Sequence, residues 1–161
     1  MVSRVLLPIL LLAAFGAHAA EVSGVRLDDK TQVEAKDLVL NGAGMRTRFG
    51  FIKVYVMGLY LPEKKTDAAA VLQLAGPKRA LLTMQRDVTA EQFTEAMLEG
   101  LRPNLSEAEY RTLEPRVKQL MDLIAEIKEA KKGSTIAIDW TGSATRLAFN
   151  GTTIGKPIAG E

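Results

Sequence analysis

Residues 41–61 read NGAGMRTRFGFIKVYVMGLYL, and the fold turns on how they are read. From residue 49 onward the run is rich in aromatic and β-branched side chains, the composition of a strand. Its odd positions carry Phe51, Lys53, Tyr55, Met57 and Leu59, and its even positions Ile52, Val54, Val56, Gly58 and Tyr60. Both faces are mostly apolar, so both are covered, and the strand lies inside a sheet rather than at its edge. Pro62 ends it. Just upstream, Asn41-Gly42-Ala43-Gly44 reads as a turn that closes a short strand at residues 37–40.

Working outward, residues 22–27 alternate apolar and polar side chains and predict a strand closed by Asp28-Asp29. On the other side, residues 67–74 predict a short helix stopped by Gly76-Pro77, and residues 79–86 another strand containing Leu82 and Met84. Thr89-x-x-Gln92 is a capping box that opens a helix burying Phe93, Met97 and Leu101 at helical spacing. Ser106-x-x-Glu109 repeats the device ahead of a stripe formed by Leu113, Val117, Leu120, Met121, Ile124 and Ile127. Pro115 is expected to kink that stretch or to start a second helix, and Gly133 to cap its end. Residues 135–140, 145–149 and 152–154 then form a meander, with Asn150-Gly151 as its second turn. The fold class is α+β: a large antiparallel sheet with helices drawn from the middle of the chain and layered on one face.

Composition removes most familiar chemistry. The chain has 161 residues and no cysteine, which excludes disulfides, thiolate zinc sites, iron–sulfur clusters and cysteine nucleophiles. Arg4, an apolar run over residues 5–14 and the A-x-A site Ala17-His18-Ala19 have the layout of a cleaved signal peptide, too short for a membrane span. The expectation is export to a periplasm and a mature single domain over residues 20–161, with no span after cleavage. His18, the one histidine, lies in the removed segment. A serine–histidine–aspartate triad, a histidine base and a histidine-held metal are then ruled out, and no metal or cofactor is expected. With 21 basic against 19 acidic residues there is no field for nucleic acid.

Two residue types remain to carry function. One of Arg46 and Arg48, just before the long strand, is expected to point between sheet and helices, where a guanidinium needs an anion. That anion is a ligand carboxylate or enolate in an apolar cleft, or one of the protein's own carboxylates such as Asp37 or Asp87. Tyr55 and Tyr60, on opposite faces of one strand, either satisfy their hydroxyls in the core or offer them to a ligand. Asn41–Gly44 lacks the lysine–serine ending and the strand-to-helix setting of a phosphate-cradling loop.

The Gly-Ala-Gly-x-Arg segment at 42–46, the strand ending Gly58-Leu59-Tyr60-Leu61, Arg86-Asp87 and Ala108-Glu109-Tyr110 together resemble the chalcone isomerase family, over the whole of residues 22–161. The resemblance implies an open-faced β-sandwich in which helices cover a large antiparallel sheet and the ligand cleft lies between the layers. In the plant enzymes the arginine steers an anionic hydroxychalcone into intramolecular ring closure, assisted by a tyrosine, a lysine, an asparagine and two threonines. Arg46 matches the arginine and Tyr110 the tyrosine. The strand threonine falls on Tyr55 and the asparagine on Val117, so both are replaced, and the turn before the strand is shorter. The helix bearing the second threonine would lie beyond Glu161, as in a truncated member. Non-catalytic branches of the family hold a fatty-acid carboxylate with an arginine and a tyrosine, and Arg46 with Tyr55 resembles that pair. Exported bacterial relatives are more similar to this chain than the plant enzymes are.

Three functions stay open. The first is binding of a small amphipathic anion such as a fatty acid, with Arg46 and Tyr55 on its head and Met57, Leu59, Phe93 and Met97 along an apolar wall. The second is an intramolecular lyase or isomerase acting on a chalcone-like or other enolisable substrate, with Arg46 and Tyr110 stabilising the anionic intermediate. The third is a structural or interaction module that kept the fold and lost the cleft. Oligomeric state is not written in any of these features.

Overall fold

The computed structural model describes residues 20–160; the expected signal segment, His18 included, lies outside the described residues. In chain order the strands are β1 (Ala20–Val22), β2 (Val25–Leu27), β3 (Lys30–Val33), β4 (Lys36–Arg48) and β5 (Ile52–Leu61). Helix α1 (Ala68–Gln73) leads to β6 (Lys78–Met84) and β7 (Val88–Thr89). Helices α2 (Ala90–Leu101) and α3 (Glu107–Ile127) follow, then β8 (Glu129–Ala130), β9 (Thr135–Trp140), β10 (Ala144–Phe149) and β11 (Thr152–Ala159). Seven strands form one antiparallel sheet in the order β11-β10-β9-β6-β5-β4-β3, with the helices inserted between its neighbours β6 and β9. This is the α+β layering predicted from the sequence, with β5 inside the sheet.

Residues 41–44 correct one expectation. They form no turn; β4 runs unbroken through them and pairs Gly42 with Leu59 and Gly44 with Met57. Neither glycine has a positive φ, so both are simply extended, and a bulge between Leu40 and Gly42 absorbs the change of register. The reversal falls instead at Phe49-Gly50, where φ is 52° and 78°. Residues 22–27 likewise split at Ser23-Gly24 into the β1–β2 hairpin rather than one strand.

Each face of the sheet has its own cover. On one side Leu82, Met84, Phe93, Ile124, Ile136 and Leu147 pack together between the sheet and the helices. On the other, Leu27, Val33, Leu38, Leu40, Val56 and Tyr60 close under the β1–β2 hairpin. Gly58 lets this face close tightly, because a Cβ would sit 3.2 Å from both Leu40 and Tyr60 and 3.3 Å from Leu27, crowding all three. The same face holds the buried Asp139, which accepts two 2.7 Å bonds from Arg79, while Arg79 also donates to Thr31 at 2.7 Å. That fork ties β6, β9 and β3 together.

Both predicted capping boxes form, at Thr89 with Gln92 and at Ser106 with Glu109. Pro115 neither breaks α3 nor starts a new helix. The helix stops at Lys128, whose φ of 61° ends the helical path, and not at Gly133. Gly133 instead donates its N–H to the Met84 carbonyl at 2.8 Å, pinning the loop before β9.

Candidate functional site

The register of β4 against β5 makes Arg46 and Tyr55 direct cross-strand partners on the helix-facing side. The Arg46 guanidinium lies 5.9 Å from the centre of the Tyr55 ring and donates to the Tyr55 hydroxyl at 3.4 Å. Its second contact is a 3.3 Å bond to the Ala96 carbonyl of α2, so the side chain bridges sheet and helix layer. Neither Asp37 nor Asp87 pairs with it. Asp37 accepts from Gln32 at 2.6 Å, and Asp87 from the Lys132 backbone and the Lys131 ammonium at 2.8 and 3.2 Å. Arg46 is therefore a half-buried cation with two long bonds to neutral acceptors and donors to spare.

Two cavities meet at this guanidinium. The first, of about 150 Å³, is apolar: Val54, Tyr55, Met57, Ala80, Leu82, Phe93, Met97 and Ile138 line it beside Arg46. The second, of about 130 Å³, opens toward the β4–β5 turn and is polar, with Arg46, Arg48, Arg86, Gln92, Glu95 and Glu99 around it. A third space of about 320 Å³ lies further along the helix layer, walled by Leu101, Leu113, Val117, Leu120, Trp140 and Ile158. Met97 lines both this space and the first cavity. Arg116, the one charged side chain among the described residues lining this third space, already has its own partner. Arg46 thus stands where the polar and apolar spaces meet, and Met97 joins the apolar one to the space beyond.

Of the residues singled out from the sequence, Arg46, Tyr55, Met57, Phe93 and Met97 come together around the first cavity. Leu59 shares the strand face of Met57 but lies two residues beyond the cavity lining. Tyr110 does not join Arg46. It sits at the start of α3 with the Arg102 guanidinium 4.5 Å from its ring centre. Sequence reasoning missed Ala80, Leu82 and Ile138, contributed by β6 and β9, and Gln92 and Ala96 from α2. The alternation within β6 was the available signal, but which face meets Arg46 depends on pairing between strands far apart in the chain. Among the described residues no group of histidine, cysteine, aspartate or glutamate side chains is arranged to hold a metal ion, and no helix is long and apolar enough to cross a membrane.

Comparison with solved structures finds a fatty-acid binding protein of Arabidopsis thaliana with a TM-score of 0.70 and 13% sequence identity. The match covers 89% of this chain and 83% of that one. At that identity the likeness is one of fold: a large curled antiparallel sheet with helices packed on it. Comparison with curated proteins finds no match. A family model described as chalcone isomerase-like matches residues 19–161, and the chain accordingly belongs to the chalcone isomerase-like family.

Proposed function

We propose that this protein binds a small amphipathic anion of the fatty-acid type, its carboxylate on Arg46 and Tyr55 and its tail in the apolar cavity. One observation carries this reading: Arg46 is half-buried between the layers, meets only neutral acceptors, and stands at the junction of a polar and an apolar space. A carboxylate there completes a charge-assisted pair that no side chain among the described residues supplies, worth about 1.5–3 kcal/mol. The fold shared with a fatty-acid binding protein supports the choice of tail. Ring-closing or isomerising chemistry has less support, because Tyr110 packs against Arg102 and leaves Arg46 without the second group expected for it. We place the binding in an exported, periplasmic protein on the layout of residues 1–19, which amino-terminal sequencing of the exported form would check at Ala20.

The test is a titration with a fluorescent long-chain fatty acid, run on the wild type and on Arg46→Ala. Saturable binding that weakens about tenfold or more in the variant supports the assignment. Unchanged affinity in a folded Arg46→Ala protein rejects the site.

A further inference from the structure

The β4–β5 hairpin ends in two aromatic rings that are largely exposed. Phe49 is 74% exposed and Phe51 is 77% exposed, at the tip Phe49-Gly50-Phe51. Phe49 also holds a left-handed φ of 52°, a conformation that disfavours bulky side chains. Among the described residues three other two-residue hairpin turns begin on such a φ, and in each the first residue's side chain has a partner; Lys128, at the end of α3, is left-handed as well. Ser23 accepts from Lys53 at 2.8 Å, Glu34 pairs with Arg146, and Asn150 accepts from the Thr135 N–H at 2.8 Å. Asn150-Gly151 has nearly the same pair of φ values, 48° and 80°, with the residue such a turn prefers. The ring of Phe49 lies beside the neighbouring Arg48 guanidinium, 5.1 Å from its centre. Neither turn chemistry nor packing among the described residues accounts for an aromatic here, which raises the question of a partner for the ring.

We propose that this tip is a membrane anchor, which inserts Phe49 and Phe51 into the interfacial region of an anionic bilayer and so seats the mouth of the cleft on the lipid surface. Charge selects that partner. Arg48 and Arg86 line the polar cavity with Arg46, and neither is in a salt bridge among the described residues. Glu95 and Glu99 stand on the α2 side of the same opening. Aromatic rings flanked by arginines match the boundary between acyl chains and anionic headgroups. Two rings at a hairpin tip also offer far less area than a stable protein–protein contact buries. The hairpin leads directly into Arg46, so a lipid-derived anion would reach the guanidinium from the bilayer along the polar opening. Anchoring itself does not depend on what the cleft binds.

Vesicle flotation decides it, with phosphatidylcholine vesicles that contain or lack phosphatidylglycerol. The wild type is compared with a Phe49→Asn, Phe51→Ser double variant. Asparagine already serves this backbone at position 150, so the turn is kept, and an unchanged or raised Tm confirms the fold. The expected result is flotation of the wild type with the anionic vesicles, diminished by salt, and partitioning at least about tenfold weaker in the variant. Fatty-acid affinity in solution stays the same in both, because neither ring lines the cavity; wild-type flotation without any fatty-acid binding would keep the anchor and reject the cleft's proposed ligand. No flotation of the wild type, or equal flotation of both proteins, overturns the anchor. Concentration-dependent self-association that the variant loses would also overturn it and assign the tip to a second copy of the chain.

Discussion

Met97 is the side chain on which the length of a bound tail depends. It lines both the 150 Å³ cavity beside Arg46 and the 320 Å³ space beyond, and no other described residue lines both. With Met97 in place, a flexible thioether can swing aside and let a tail continue from one into the other. Each methylene that leaves water contributes about 0.8 kcal/mol, so a tail longer by four methylenes gains about 3 kcal/mol if it enters the second space. That corresponds to roughly a hundredfold in affinity. Met97→Trp fills the passage with a rigid ring on the same half-buried turn of α2, at an overpacking cost of about 1–3 kcal/mol in stability. The assay is calorimetric titration with a series of saturated fatty acids of increasing length. The wild type should bind more tightly with each added methylene, whereas Met97→Trp should stop gaining once the first cavity is full. Short acids should bind both proteins alike, since the Arg46 end is untouched. Parallel slopes in two folded proteins would refute the idea that the cavities act as one tunnel.

Two further outcomes test the frame around the site. Asp139→Ala leaves the Arg79 guanidinium without its anion inside the sheet and should cost about 3 kcal/mol in urea unfolding. Replacing both partners with apolar residues should restore part of that loss. On acidification, Asp87 and Glu109 set the direction of change. The Lys132 backbone N–H, followed by Lys131, holds the Asp87 carboxyl below the ordinary carboxylate range, and the Ser106 hydroxyl and backbone do the same for Glu109. A lowered folded pKa contributes stability above the unfolded value, near pH 4, and that contribution disappears as pH falls through the folded one. Stability should therefore drop below about pH 4, with a shallower drop in Asp87→Asn, as followed by Tm against pH.

Local chemistry was legible where it is decided locally. The two capping boxes and the Asn150-Gly151 hairpin follow from residues within a few positions of one another, and all form as read. Residues 41–44 failed for the opposite reason. A glycine-rich stretch is as compatible with an extended strand as with a turn, and pairing with β5 decided between them. Lys30–Val33 gave no strand signal because it is short and mostly polar, and it pairs only with one end of β4. The site divides in the same way. Strand alternation put Tyr55 and Met57 on one face and helical spacing put Phe93 and Met97 together, whereas the choice of Arg46 over Arg48 and of Tyr55 over Tyr60 rested on the family resemblance. The exact partner of Arg46 could not be read, since the Ala96 carbonyl reaches it only after α2 is laid across the sheet. Leu59 shows the limit of alternation: it assigns a face correctly and says nothing about where along the strand a cavity ends.

The central claim is that Arg46 recognises a carboxylate at the head of an apolar tail. The most direct measurement pairs a fatty acid with the alcohol of equal chain length and titrates both into the wild type and Arg46→Met. In the wild type the acid should bind roughly ten- to hundredfold more tightly than the alcohol, and in Arg46→Met that gap should close while the alcohol's own affinity barely moves. Equal binding of acid and alcohol by the wild type, or a gap that survives the loss of the guanidinium, would contradict the account.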